Sequence, residues 1–301
     1  MEKILLSGNE AAAEGAIRAG CRFYAGYPIT PQNELIEYMA RRMPEVGGVF
    51  IQAESEIAAI NMVFGASVTG MRAMTSSSGP GISLKQEGLS YLAACQLPAV
   101  VINVMRGGPG LGNIAPSQSD YFQATKGGGH GDYHIIVLAP SCVLEMFEIT
   151  SLAFNLADKY RIPVMILADG VLGQMMEPIE VHSSQFTVHS NKRRLPTTDH
   201  RPSTKPWALT GCKGREPSII RSLLIEVDKL EELNNVLQKK YERIKKYEVR
   251  FETLHTSDCD AVLVAYGTVG RICKTILPKL RKEVLRVGLI RPISLWPFPG
   301  D

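Results

Sequence analysis

Short apolar runs recur along the first half of this chain, and they limit the fold more than any other feature of the sequence. Four of them are rich in β-branched residues and almost free of polar ones: 49–51, 100–104, 135–138 and 164–167. Strands of a parallel sheet that is covered on both faces have this character. Windows with helical periodicity lie between them, at 31–43, 56–69, 84–95 and 142–160. The alternation predicts an α/β fold, a doubly wound parallel sheet with helices on both faces.

The sequence changes character after residue 181. Residues 182–256 begin as a polar, proline-bearing connector and end in an amphipathic helix, whose apolar side chains recur at three-, four- and seven-residue steps between 228 and 247. Residues 257–301 predict a single strand–helix–strand unit, and roughly 45 residues are fewer than normally fold alone. We therefore expect a large domain at 1–181, a connector at 182–256, and a short, apparently truncated second α/β unit at 257–301.

Composition argues against several classes of function. The 301 residues carry a formal net charge of only +3, with basic and acidic residues interleaved, so we expect no nucleic-acid surface. No apolar run approaches the ~20 residues of a membrane span, and the first residues do not form a signal peptide, so we expect a cytoplasmic protein without membrane contact. The six cysteines are scattered without a Cys-x-x-Cys pair, so we expect neither a bound metal nor an iron–sulfur cluster in this chain.

Three sets of polar residues stand where strands end or helices begin. Thr30 precedes a proline and is predicted to be the N-cap of a helix whose N-terminus attracts an anion. Glu54 and Glu56 stand at the start of an apolar helix, either as proton-exchanging carboxylates or as acidic residues that favour a helix start. Arg106 ends an apolar strand, where it either binds a carboxylate with two hydrogen bonds or remains solvated. We expect these residues to converge, because the carboxyl ends of parallel strands line one crevice.

Two glycine-rich segments give weaker signals. Residues 107–112 follow a strand, but they lack the GxGxxG spacing of a dinucleotide site and run into more loop. Residues 127–132 contain His130 and Asp132 in a backbone-flexible segment. His130 is a candidate for contact with a substrate or a partner, although a lone histidine without a neighbouring base is more often incidental.

The motifs together resemble one enzyme family, the α subunits of 2-oxoacid:ferredoxin oxidoreductases, which use thiamine diphosphate. The segments that carry the resemblance are Gly8-Asn9-Glu10-Ala11, Tyr27-Pro28-Ile29-Thr30-Pro31, Glu54-x-Glu56 and Arg106-Gly107-Gly108-Pro109. The resemblance runs from the first residues to about Asp169 and resumes near the C-terminus. It implies that domain 1–181 has the pyrimidine-binding fold, and that 257–301 is part of a transketolase C-terminal-like domain.

The resemblance assigns roles to individual residues. Glu56, nine residues before Gly65-Ala66, is implied as the catalytic carboxylate that binds the cofactor pyrimidine, and it is preferred to Glu54. Pro28 and Ile29 are implied as further cofactor contacts. Thr30 and Arg106 are implied as substrate-binding residues.

The resemblance also implies partners. The diphosphate of the cofactor and its Mg²⁺ are expected on a β subunit, because Asp169 and Asn191 match only a fragment of the family's metal motif, and Asp169 is interpreted as structural. Iron–sulfur clusters are expected only on partner subunits, and a γ subunit and a ferredoxin-like δ subunit complete the expected complex. Ferredoxin and coenzyme A are the expected co-substrates.

The implied reaction is oxidative decarboxylation of a 2-oxoacid to acyl-CoA with reduction of ferredoxin. The loop 106–113 with 117–120 is most similar to the branched-chain type, which acts on 2-oxoisovalerate. A 2-oxoglutarate enzyme is one alternative, and a non-catalytic scaffold or nucleotide-binding subunit of the same fold is another. The scaffold is disfavoured because Thr30, Glu56 and Arg106 occur together.

Overall fold

The computed structural model of the chain describes residues 3–180, 205–283 and 285–300, which contain twelve strands and ten helices. The strands are β1 (Lys3–Ser7), β2 (Phe23–Gly26), β3 (Val49–Gln52), β4 (Ala73–Ser77), β5 (Ala99–Met105), β6 (Ile136–Leu138), β7 (Pro163–Asp169), β8 (Met176–Glu180), β9 (Phe251–Leu254), β10 (Ala261–Val264), β11 (Val287–Pro292) and β12 (Ser294–Trp296). The helices are α1 (Gly8–Arg18), α2 (Asn33–Glu45), α3 (Glu56–Val68), α4 (Gly79–Leu84), α5 (Gln86–Ala94), α6 (Tyr121–Lys126), α7 (Val143–Tyr160), α8 (Gly170–Gln174), α9 (Val227–Tyr247) and α10 (Gly267–Lys282).

A seven-stranded sheet forms the centre of the molecule, in the order β12-β6-β7-β5-β4-β2-β3. Neighbouring strands are parallel except at one edge, where β12 is antiparallel to β6. All seven residues of both β5 and β7 are buried, so both faces of the central strands are covered. The predicted α/β fold with a mostly parallel sheet is confirmed.

The four apolar runs became β3, β5, β6 and β7, but three strands of the same sheet, β2, β4 and β12, were not predicted. β2 is only four residues long, and β4 has the sequence AMTSS, which does not look like a buried strand although all five of its residues are buried. The predicted helix at 84–95 is α5, which begins at Gln86, and the short helix α4 before it was not predicted. The predicted helix start at Thr30 is also wrong, because α2 begins at Asn33 with Gln32 as its N-cap.

The C-terminal part is joined to the central sheet. The strands β10, β11 and β9 form a separate three-stranded sheet, whereas β12 pairs with β6 of the central sheet. Helix α9 packs Leu237, Tyr241 and Ile244 into the main hydrophobic core, and its predicted apolar position Leu230 is exposed. The predicted boundary at 181–182 lies outside the described residues, as does Asn191, so the division into 1–181, 182–256 and 257–301 stays a prediction.

Candidate active site

The loops after β5, β4, β2 and β3 meet at the carboxyl edge of the central sheet. Parallel strands end at one edge, and the strand order places these four next to one another. Glu56 and Arg106 come from the two outer loops of this group, and the loop after β4 lies between them. The segment after β4 forms helix α4, in which Gly81 adjoins Glu56 and Gly79 adjoins Arg106.

Glu56 is the first residue of α3 and is buried. The side chain of Ser55 caps the helix by accepting a hydrogen bond from the backbone N–H of Ala58 at 3.1 Å, and this fixes where α3 begins. Glu56 Oε1 lies so close to Gly81 that a Cβ at Gly81 would be 2.6 Å from it. No residue in the described ranges donates a hydrogen bond to this carboxylate. A buried acceptor without a protein partner fits a ring nitrogen of an aminopyrimidine, so the residues present fit the pyrimidine end of thiamine diphosphate.

Arg106 follows β5, and its guanidinium is partly occupied. One terminal nitrogen donates to the backbone carbonyl of Thr30 at 3.1 Å, and the other donates to that of Leu111 at 2.9 Å. The Nε atom is buried and has no hydrogen-bond partner among the described residues. Arg106 therefore holds two loops in place and still has a buried donor for a ligand.

Thr30 contacts Arg106 through its backbone rather than its side chain. It is not an N-cap, because the chain first makes a turn in which the N–H of Gln32 donates to the carbonyl of Ile29 at 3.1 Å. The buried Gln32 side chain accepts a hydrogen bond from Ser76 at 2.6 Å, and this contact fixes the turn on β4. The Thr30 hydroxyl accepts from Asn33 at 3.5 Å.

The remaining predicted contacts of the cofactor lie on the same loop as Thr30. Pro28 is exposed and Ile29 is half-buried, just beyond the end of β2. Glu54 is exposed, in contrast to the buried Glu56. This difference in burial agrees with the preference for Glu56 that the nine-residue spacing gave.

A cavity of about 430 Å³ opens beside Arg106. Its lining residues are Gly79, Pro80, Ser83, Arg106, Gly107, Gly108, Pro109, Gly110, Ser119 and Asp120. Asp120 is held by the buried side chain of Asn103, which donates to it at 2.9 Å, and Ser119 donates to the carbonyl of Arg106 at 2.8 Å. Arg106 and Asp120 are therefore the two charged groups in a lining that is otherwise glycine, proline and serine.

His130 and Asp132 lie elsewhere. Both are exposed and line a second cavity of about 750 Å³, together with residues of α5 and α9. The backbone carbonyl of His130 accepts a hydrogen bond from Ser90 at 2.7 Å. Neither residue is among those that line the cavity beside Arg106.

Asp169 and Asn9 have structural contacts. Asp169 is the N-cap of α8, accepting from the N–H groups of Val171 and Leu172 at 3.0 and 3.1 Å, which agrees with its interpretation as a structural residue. The buried Asn9 donates to the carbonyl of Pro31 at 2.9 Å and so supports the loop that contains Thr30. The cap of α1 is Ser7, not Gly8 or Asn9.

Lys85 is a residue of this region that sequence reasoning missed. It is fully buried, and its Nζ atom donates to the backbone carbonyl of Glu56 at 3.3 Å. The sequence gives a misleading signal here, because Ser83 to Gln86 has the composition of a helix cap, whereas Ser83 lies inside α4. A lysine is buried so rarely that no local pattern indicates it.

Neither a metal-ligand cluster nor a membrane-spanning helix occurs in the part of the chain that the structure describes. No group of three or more His, Cys, Asp or Glu side chains in 3–180, 205–283 and 285–300 has an arrangement that would hold a metal ion. None of the helices in those ranges combines the length and the apolar character needed to cross a membrane.

The chain matches two protein-family models and is similar to several known proteins. Residues 14–250 match the family described as "Pyruvate flavodoxin/ferredoxin oxidoreductase, thiamine diP-bdg", and residues 259–301 match "Pyruvate:ferredoxin oxidoreductase core domain II". Ketoisovalerate oxidoreductase subunit VorB of Methanothermobacter thermautotrophicus is 50% identical over 297 residues, covering 99% of this chain and 81% of the relative. The 2-oxoglutarate synthase subunit KorA of Methanocaldococcus jannaschii is 40% identical over 321 residues, covering 100% of this chain and 85% of the relative.

A solved structure is similar over nearly the whole chain. It is a 2-oxoglutarate:ferredoxin oxidoreductase from Magnetococcus marinus with 2-oxoglutarate, coenzyme A and succinyl-CoA bound, and it matches with a TM-score of 0.84 at 29% identity. The match covers 99% of this chain and 55% of that one. The family matches extend over the connector, further than the sequence resemblance that ended near Asp169.

Proposed function

The chain belongs to the thiamine-diphosphate-binding family of 2-oxoacid:ferredoxin oxidoreductases, and we propose that its substrate is a branched-chain 2-oxoacid such as 2-oxoisovalerate. The proposed reaction converts this acid to its acyl-CoA with release of carbon dioxide and reduction of ferredoxin. The 50% identity to a ketoisovalerate oxidoreductase subunit, against 40% to a 2-oxoglutarate synthase subunit, supports this choice.

The charge of the cavity beside Arg106 is the observation that carries the choice of substrate. Arg106 is the cation of its described lining, and Asp120 is the other charged group. A 2-oxoacid with one carboxylate pairs with Arg106 and places an uncharged side chain in the cavity. The second carboxylate of 2-oxoglutarate has no cation to pair with in this lining and meets the like charge of Asp120, which repels it.

The described residues divide the work of the reaction. Thiamine diphosphate, when bound, supplies the centre that stabilises the negative charge left by decarboxylation. Glu56 would hold the pyrimidine end of the cofactor and exchange a proton with a ring nitrogen, because its carboxylate is buried and no group in the described ranges donates to it. Arg106 binds and orients the substrate carboxylate through Nε, while its contacts to Thr30 and Leu111 keep the guanidinium in place.

Partner subunits complete the proposed enzyme. The proposal includes a β subunit that holds the cofactor diphosphate with Mg²⁺, together with γ and ferredoxin-like δ subunits that hold iron–sulfur clusters, in the cytoplasm. Exposed apolar side chains near the site support a covering chain, since Leu111 is 78% and Ile114 is 67% exposed.

Assay of the purified complex with several 2-oxoacids tests the substrate. We expect kcat/KM for 2-oxoisovalerate to exceed that for 2-oxoglutarate by at least ~10-fold, because the two substrates differ by one unpaired charge that meets Asp120. An equal or higher value for 2-oxoglutarate would contradict the proposal.

Glu56→Gln tests the role of the buried carboxylate. We expect the complex to assemble and to lose roughly 10²- to 10⁴-fold in kcat, because an amide cannot exchange the proton. Glu54→Gln is the matched control, and its effect should be small because Glu54 is exposed. The reverse result would assign the role to Glu54.

A further inference from the structure

Lys85 is the most deeply buried basic side chain in the described ranges. It stands between α4 and α5, where it is both the C-cap of α4 and the N-cap of α5. An ammonium group has three N–H donors, and the hydrogen bond described for this one goes to the backbone carbonyl of Glu56 at 3.3 Å. A buried charge with so few partners is costly, so a compensating interaction is expected.

The charge that compensates Lys85 is that of Glu56. Burial lowers the pKa of Lys85 to about 8, and the Glu56 carboxylate opposes this shift. The other charged groups on neighbouring elements do not compensate the charge of Lys85. Glu54 and Glu87 are exposed, and Arg106 donates to two loop carbonyls. β4 carries no charged side chain, and its polar side chains are all hydroxyl groups. Lys85 is therefore mainly a cation at pH 7, and its charged neighbour is the candidate catalytic carboxylate.

We propose that Lys85 positions Glu56 and serves as its counter-ion inside the protein. The ammonium group binds the first turn of α3 through the Glu56 carbonyl and places a positive charge beside the Glu56 side chain in the interior of the protein. This inference rests on the proposed function, because the role of Glu56 in proton exchange is what gives the counter-ion a use. Lys85 acts through Glu56 and need not contact the substrate.

Lys240 provides a matched control in the same chain. Its Nζ atom also donates to a backbone carbonyl, that of Arg161 at 3.1 Å, and burial also lowers its pKa to about 8, with the charge of Arg161 adding to the effect. It lies on α9 and makes no described contact with Glu56. A result that is due only to burying a lysine will appear in both variants, whereas a result that is due to Glu56 will appear in one.

The first experiment is steady-state kinetics of the complex with Lys85→Met, Lys85→Arg and Lys240→Met. We expect Lys85→Met to lower kcat by about 10- to 100-fold with little change in KM, because it removes both the hydrogen bond to the first turn of α3 and the positive charge beside Glu56. Lys85→Arg should restore most of the activity and keep it above pH 8, where the wild type declines, because arginine stays charged. Lys240→Met should match the wild type. An unchanged kcat and pH profile in Lys85→Met, or no rescue by arginine, would assign Lys85 to packing.

The second experiment measures the coupling without turnover. Unfolding of the full chain is followed for the wild type, Lys85→Met, Glu56→Gln and the double variant, and we expect non-additivity of about tenfold in the unfolding equilibrium constant at pH 7. Because the folded pKa of Lys85 lies below its unfolded value of 10.5, the wild type should gain stability from pH 8 to 10.5 relative to Lys85→Met. Additive effects would overturn the proposal whatever the activity, whereas a complex inactive on all 2-oxoacids would overturn the proposed function and leave this measurement intact.

Discussion

Arg106 shows how one side chain performs two tasks at the carboxyl edge. Its terminal nitrogens bind the carbonyls of Thr30 and Leu111, and its buried Nε has no partner in the described part of the chain. The loop contacts use the fork geometry of the guanidinium, which a lysine cannot reproduce. Structure and ligand binding are therefore coupled at this residue.

Arg106→Lys should raise KM for the 2-oxoacid much more than it lowers kcat. Lysine keeps the charge but loses the Nε donor and both loop contacts, and the loss of a charge-assisted hydrogen bond is worth roughly 1.5 to 3 kcal/mol, or about one to two decades in kcat/KM. Thr30→Val is a milder control, because Thr30 meets Arg106 through its backbone carbonyl. An unchanged KM in Arg106→Lys would restrict this residue to the loop structure.

At the level of single residues, the sequence predicted Glu56 and Arg106 as candidate site residues and did not indicate Lys85. A carboxylate at a helix start and an arginine at a strand end are visible in a local pattern, and the strand order brings them to one edge. The burial of Lys85 depends on how α4 and α5 pack against α3, which no local pattern encodes. The role of Thr30 was likewise hidden, because its contact to Arg106 uses a backbone atom.

The short helix α4 positions the site through a glycine. A Cβ at Gly81 would lie 2.1 Å from Ser77 Oγ and 2.6 Å from Glu56 Oε1, so a side chain there forces either β4 or Glu56 to move. β4 is buried and fixed in the middle of the sheet. The displacement should therefore fall mainly on Glu56.

Gly81→Ala should lower the activity of the complex at least ~10-fold and destabilise the chain by about 1 to 3 kcal/mol, which is typical of overpacking. Gly65→Ala is the control on α3, because nothing lies within 4 Å of its added Cβ, and it should stabilise the helix by up to about 1 kcal/mol. Denaturant unfolding and a kinetic assay measure both effects. Normal activity in Gly81→Ala would mean that Glu56 does not need this glycine.

Prediction of the elements succeeded where a strand was apolar and failed where it was polar or short. β5 is a continuous apolar run, and its burial follows from its composition. β4 buries Ser76 because Tyr24 and Gln32 satisfy it with hydrogen bonds at 2.6 Å, whereas the buried hydroxyls of Thr75 and Ser77 have no partner among the described residues. These partners are 52 and 44 residues away in sequence, so the strand is defined by long-range contacts.

On the scale of the whole molecule, ion pairs join the C-terminal part to the main domain. Arg271 on α10 binds Glu177 on β8 at 2.6 Å, and Arg291 on β11 binds Glu145 on α7 at 2.7 Å. Glu248 accepts hydrogen bonds from two residues of α7, Lys159 at 2.5 Å and Tyr160 at 2.6 Å. Docking of this part therefore depends on charged carboxylates as well as on the pairing of β12 with β6.

Acid should release the C-terminal part before the central sheet unfolds. Burial raises the pKa of Glu177 and Glu248, but hydrogen bonds from Arg271 to the first and from Lys159 and Tyr160 to the second outweigh it, and both values lie below the ordinary 4.5. A carboxyl group with a lowered folded pKa contributes stability that is fully present above the unfolded value and is lost as the pH falls through the folded value. The docking should therefore weaken below about pH 4.5.

The pKa shift of Glu148 on α7 has the opposite sign to those of Glu177 and Glu248. Its effect on stability therefore falls in a different pH range and can be separated from theirs. Burial raises its pKa to about 7, with the charge of Glu145 adding to the effect, so its contribution to stability is present below pH 4.5 and is lost as the pH rises through 7. Below pH 4.5 it is protonated in both the folded and unfolded chain and no longer changes the free energy of unfolding.

Hydrogen exchange of residues 249–300 should then increase as the pH falls from 4.5 to 3, at a pH where the amides of β5 and β7 remain protected. Glu177→Gln should flatten this acid response, whereas Glu148→Gln should alter only the range between pH 4.5 and 7. Simultaneous loss of protection in both regions would mean that the chain unfolds as one cooperative unit, and that the ion pairs at Arg271 and Glu248 do not define a separable docking surface.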